Sequence, residues 1–180
     1  MSLVLRAALA GAFLAAAAPV AASPAFDGFR TVCGETHGDF AAVKAAVDAG
    51  HWAPTEVQPS TMEGVTVTES LAREAVAGDA KMTLFAWHGA KGNVQVSACT
   101  IRVSPGKLAD LAAETKGWMG FAPQSADPAK AAWQFTETAG ARKPLDKSGY
   151  EAAAAAGGLD FLTIKTDGHE VIVDLLKIKS

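Results

Sequence analysis

The 180-residue chain contains one tyrosine and two cysteines. It also lacks the sequence signatures of the common enzyme classes. G-x-S-x-G, H-E-x-x-H, the P-loop and G-x-G-x-x-G are all missing, which removes the familiar serine hydrolase, zinc protease and nucleotide-binding patterns. Neither cysteine stands in a C-x-x-C spacing, which argues against a thiolate metal site, and no cofactor is indicated. Basic residues are scarce: 16 Lys and Arg stand against 19 Asp and Glu, for a net charge of −3. Nucleic acid is thereby disfavoured as a partner, because phosphate binding needs a basic face. After residue 22 no stretch approaches the ~20 apolar residues that cross a bilayer. Internal repeats, low-complexity linkers and long charge runs are absent too.

What is present begins at the N-terminus. Arg6 forms a short basic region, residues 7–18 form an alanine-rich apolar run, and Pro19 ends it. Val20-Ala21-Ala22 places short side chains at the −3 and −1 positions of a cleavage site, with Ser23 as the first mature residue. There is no twin-Arg pair, and Cys33 follows Arg30-Thr31-Val32 rather than a lipobox. The pattern predicts a cleavable signal peptide over 1–22 and a single globular domain over 23–180. The location it predicts is the periplasm or the extracellular medium. Loss of Arg6 leaves a net charge of about −4.

An exported chain with an even cysteine count predicts a bridge, here Cys33–Cys99, worth roughly 4 kcal/mol in the chain-entropy view. The alternative is two buried thiols that never meet.

Periodicity predicts an α+β domain, mainly an antiparallel sheet of six or seven strands with three short helices. Residues 26–32 read as extended. A helix follows, capped by Thr36 with Asp39 in a capping box, carrying Phe40, Val43 and Val47 on one face and stopping at Gly50. Residues 55–64 read as loop and 64–77 as strand. Residues 81–87 and 94–103 form a strand pair turning at Gly89, Gly92 and Asn93. Ser104-Pro105 predicts a helix start and Gly117 its end. Residues 118–128 read as loop, 131–138 as strand and 140–146 as turn. Ser148 to Glu151 is a second capping box, opening an alanine helix that ends at Gly157-Gly158. The C-terminal strands, 159–165 and 170–178, are joined by a hairpin centred on Asp167-Gly168. Lys177 and Lys179 read as a strand running out to solvent.

Candidate chemistry is sparse. Glu35, His37 and Asp39 alternate and would share a face in an extended stretch, as metal ligands do, but Asp39 is already explained by the helix start, and no metal site is predicted. His51, His88 and His169 read as residues of turns and element ends. Ser104 to Lys107 matches S-x-x-K and Lys165-Thr166 faintly matches K-T-G, but the cap and the hairpin explain both and no S-D-N lies between. Trp87 and Trp133 read as strand core. Trp52 and Trp118 each follow a helix-ending glycine. With Met119 and Phe121 they predict an apolar ligand or partner surface on loops.

Phe29-Arg30-Thr31-Val32-Cys33, the helix ending in Gly50-His51-Trp52 and the strand carrying Cys99 together resemble uncharacterised small exported proteins of proteobacteria. The resemblance covers the first half of the chain. It implies export and a cysteine pair, and carries no activity, cofactor or site. The function expected from the sequence is a non-catalytic exported binding or interaction protein for an envelope protein or a small apolar ligand. The alternatives are a cell-envelope hydrolase and a structural docking domain of an envelope assembly. Converging titratable side chains would favour the hydrolase.

Overall fold

The computed structural model describes residues 22–56 and 63–180. The predicted signal peptide therefore lies outside the described residues apart from Ala22, as does part of the 55–64 loop. Among the described residues, nine strands form one antiparallel sheet, with four α-helices beside it. The strands are β1 (Ala53–Pro54), β2 (Thr66–Ala77), β3 (Ala80–Lys91), β4 (Val94–Ser104), β5 (Ser125–Asp127), β6 (Lys130–Thr138), β7 (Ala141–Pro144), β8 (Leu159–Asp167) and β9 (Glu170–Lys179). Their order is β1-β2-β3-β4-β9-β8-β6-β5, with β7 also paired to β6. The helices are α1 (Pro24–Phe29), α2 (Phe40–Ala49), α3 (Leu108–Met119) and α4 (Tyr150–Ala155).

The α+β class and the dominant antiparallel sheet match expectation, but nine strands and four helices replace six or seven and three. The extra strands β1, β5 and β7 are two to four residues long, too short for an alternation to register. They are made by pairing with longer neighbours. Short β1, carrying Pro54, and the exposed β5 lie at the two ends of the strand order.

Residues 26–32 are not extended. Ser23 caps α1 by accepting from the Phe26 amide, Pro24 occupies the first helical position, and a π-turn over Arg30–Gly34 continues the coil. The same Ser-Pro signal at Ser104-Pro105 does not start a helix. Ser104 is still paired with Lys81 in the sheet, and α3 begins only at Leu108. Nor does Gly117 end α3. Burial of Leu111, Thr115 and Met119 carries the helix past it to Gly120, whose left-handed backbone (φ 78°) closes the last turn. Asp39, not Thr36, caps α2, and Asp146, not Ser148, caps the short 3-10 turn before α4. Gly89 lies inside β3. A Cβ there would stand 2.3 Å from the Thr66 carbonyl, beside the irregularity at Val67/Glu69, so the glycine serves a close strand approach rather than a turn.

One face of the sheet carries the main core. Leu84, Ile101, Val173, Leu162, Ile164 and Trp133 pack there with α1, the π-turn, α2 and α3. On the opposite face Phe85, Trp87, Val96 and Ala98 form a second cluster, and α4 packs against β8 and β9. Cys33 and Cys99 are both fully buried and joined in a disulfide that closes 66 residues. It ties the π-turn to β4 at the middle of the sheet. Replacing both cysteines by alanine should lower unfolding free energy by about 2–5 kcal/mol in urea titration. An unchanged midpoint would mean that packing alone holds the helical layer in place.

Candidate functional site

On the helix-covered face, the ends of β4 and β9 extend beyond the main core. Strand alternation puts Ser97, Lys177 and Lys179 on the same side as Cys99, Val173 and Leu175. The segment between the π-turn and α2 passes over them. The result is a groove of two adjoining lobes of about 400 and 290 Å³ that share Asp39, Ser97, Lys177 and Lys179. His37 and Glu137 line the larger lobe, while Phe40, Glu69 and His88 line the smaller.

The carboxylates here are already engaged. Glu137 is nearly buried, lies 3.3 Å from His37 Nδ1 and accepts from Arg142 Nε at 3.2 Å. Asp39 accepts from the Ala42 amide. Glu69 is 2.8 Å from His88 Nε2, and the His88 ring stacks on Phe40. Asp160, only 3% exposed, lies 3.5 Å from Lys177. By contrast Lys179 joins no ion pair, and Ser97 makes no side-chain hydrogen bond, among the described residues. Two non-glycine residues with left-handed backbone, His37 (φ 53°) and Ala139 (φ 50°), both line the larger lobe. Such conformations persist only where surrounding structure imposes them.

The cysteines meet as predicted. The four apolar candidates do not form one exposed patch. Met119 is core, and Trp52, Trp118 and Phe121 are half-buried against it. Among the described residues the one exposed large hydrophobic side chain is Val76. Trp118 stands edge-on to Phe26 and Phe29, and a Cβ on Gly34 would stand 2.7 Å from its ring. On its other side the Arg142 guanidinium lies 3.7 Å from the ring centroid, and Arg142 Nη1 donates to the Trp118 carbonyl. Trp118 thus supports the groove from behind: it holds Arg142, which holds Glu137, which holds His37. The helix places Trp118 there because its last turn runs past Gly117.

Of the metal candidates, Glu35 pairs with Arg30 and Asp39 caps α2, and no cluster of three potential ligands occurs among the described residues. His51 and His169 lie in turns, whereas His88 is a β3 residue. Ser104 ends β4, Lys107 precedes α3 and Lys165-Thr166 lie in β8, so the S-x-x-K and K-T-G matches are local structure. The sequence pointed to no role for Ser97, Glu137, Arg142 or Asp160, and Lys177 and Lys179, expected to run out to solvent, instead line the groove, Lys177 mostly buried against Asp160. A signal existed for two of them: Asp160 and Lys177 are charged residues at core-facing positions of otherwise apolar strands. The true hairpin loop is Gly168-His169, one residue later than expected, and that register makes Asp160 and Lys177 direct partners.

Comparison with family models, with curated proteins and with solved structures finds no match. No helix among the described residues is long and apolar enough to cross a membrane.

Two expectations follow. Trp118→Ala should cost about 2–3 kcal/mol in urea unfolding, since it removes a half-buried ring wedged among Phe26, Phe29 and Arg142. A cost below about 0.5 kcal/mol would make the ring a surface feature. The second concerns pH. Burial raises the carboxyl of Asp160, opposed by Lys177, and burial raises that of Asp174, opposed by its hydrogen bond from Thr100. A raised carboxyl is bound more tightly by protons in the fold than in the unfolded chain. Its stabilisation is complete below the ordinary value of 3.8 and is lost as pH rises through the elevated one. Asp174→Asn keeps an oxygen for Thr100 and removes the charge, so its urea midpoint should gain on the parent's between pH 4 and 7. A difference that stays constant over that range would exclude burial of the Asp174 charge as the cause.

Proposed function

We propose that the protein is an exported binding protein that holds a small, acceptor-rich anionic ligand in the groove over the ends of β4 and β9. One observation carries this reading. The groove's carboxylates are occupied by partners within the chain, while Lys179 and Ser97 are uncommitted. A ligand would therefore meet the Lys179 ammonium and the Ser97 hydroxyl as open donors, beside carboxylates whose charge is partly answered within the chain. The two lobes are of the size that small-molecule sites occupy. The buried Asp160–Lys177 pair supports the reading, because desolvating two charges costs several kcal/mol and an apolar pair would pack at least as well there. The half-buried positions of Trp52, Trp118 and Phe121 favour a polar ligand over the apolar one that the sequence suggested. The export reading rests on the N-terminal pattern, with the buried disulfide as support. The resemblance to small exported proteins of proteobacteria points the same way.

A second reading, a cell-envelope hydrolase, is favoured by the His37–Glu137 pair lining the same groove as Ser97. A carboxylate on one ring nitrogen orients a histidine as a base. No Ser97–His37 hydrogen bond accompanies it, which places binding first.

Native mass spectrometry of protein recovered from exporting cells should show a retained small anion that is released on denaturation. Lys179→Glu should weaken rebinding about tenfold, roughly 1.4 kcal/mol, without moving the urea midpoint. Covalent labelling of Ser97 by a fluorophosphonate, lost in His37→Ala, would instead establish the hydrolase.

A further inference from the structure

At the opposite end of the sheet, Ser23 is held by a single distant carboxylate. Its backbone nitrogen lies 2.5 Å from Glu114 Oε1, and its hydroxyl donates to Glu114 Oε2 at 2.9 Å. Glu114 is on α3, 91 residues away, and joins no ion pair among the described residues. Ser23 is also the residue at which the signal-peptide pattern places the mature start.

We propose that Glu114 is the receptor for the α-ammonium group created when the chain is cut before Ser23. The inference rests on the export reading and goes beyond it, by assigning a binding site to the product of processing. Hydrolysis of the Ala22–Ser23 peptide bond by a signal-removing protease adds one water. The carbonyl carbon of Ala22 gains the oxygen and leaves as a carboxylate, and the Ser23 nitrogen becomes a primary amine, protonated near neutral pH. A backbone N–H that donates once to Glu114 is replaced by a cation with three donors at the same place. An amide–carboxylate hydrogen bond becomes an ion pair.

The surroundings suit a cation. Asp79 and Asp110 line the hollow beside Ser23 with Lys107, giving two further carboxylates to one ammonium. Ser23 also caps α1, where the unpaired amides of the first turn repel a positive charge. A free amine there needs a counter-ion, and Glu114 supplies it. Among the described residues, the cut removes Ala22 from the margin of the core.

Intact mass of the exported protein comes first, with a start at Ser23 expected. The rate of acylation of the α-amine is then followed by peptide mass spectrometry, folded and in urea. An ordinary α-amine titrates at about 8. Pairing with Glu114 should slow acylation at pH 7 about tenfold in the fold relative to urea. Glu114→Gln keeps the shape and loses the charge, so it should bring the folded rate close to the denatured one. A chain made to begin at Ala22 moves the amine about 3.8 Å away and should label equally fast folded and unfolded. That comparison also serves if Glu114→Gln does not fold. Equal folded and denatured rates in a chain that starts at Ser23, or a slow rate that survives Glu114→Gln, would overturn the assignment while leaving export intact. A different start, read from the mass alone, would overturn the cleavage site and the assignment together.

Discussion

A broad antiparallel sheet exposes more apolar surface than its own twist can hide, and in this protein the Cys33–Cys99 bridge determines what covers it. The bridge joins a π-turn to the middle of β4, so the helical segment from α1 to α2 must lie across Leu84, Ile101 and Val173. That placement buries Phe26, Phe29, Val43 and Val47. It also directs the chain between the π-turn and α2 over the ends of β4 and β9. The groove is a by-product of the staple: Ser97 lies two residues before Cys99 on the same face of β4, and His37 four residues after Cys33.

The groove's electrostatics follow from where the core ends. Along β9 the helix-facing positions read Val171, Val173, Leu175, Lys177 and Lys179, and along β8 they read Ile164, Leu162 and Asp160. Each strand is apolar while the helical layer covers it and charged beyond. Asp160 remains buried at that boundary, and Lys177 is the partner that makes its burial tolerable. The network from Trp118 through Arg142 and Glu137 to His37 then links the last turn of α3 to the groove's rim. A ring that reads as a loop anchor in the sequence acts as a support behind a polar site.

The long strands and their hairpins were legible because each is a local pattern. Alternation over residues 64–68, 94–103 and 170–178, two-residue glycine turns and the helix face of Phe40, Val43 and Val47 need no distant partner. Local signals failed where a distant contact competed. Ser23-Pro24 and Ser104-Pro105 are the same dipeptide; the first opens α1, and the second is overruled because Ser104 is paired with Lys81. Gly117 is a sound stop signal, overridden because ending there would leave Met119 out of the core. An error of one residue in the last hairpin was enough to hide the Asp160–Lys177 pair, since each step of register changes every cross-strand partner.

By itself the sequence determined the α+β class, the dominance of antiparallel pairing and the cysteine partnership, because composition, periodicity and parity settle these without knowledge of the fold. Only the tertiary structure decided the polar groove, the role of Trp118 and the grip of Glu114 on Ser23. Their members are separated by tens of residues and belong to different elements. No spacing along a chain encodes that His37, Ser97, Glu137 and Lys179 will line one cavity. Their meeting depends on the order in which strands pair and on how far the helical layer reaches along the sheet, and both are set by the packing of the whole core.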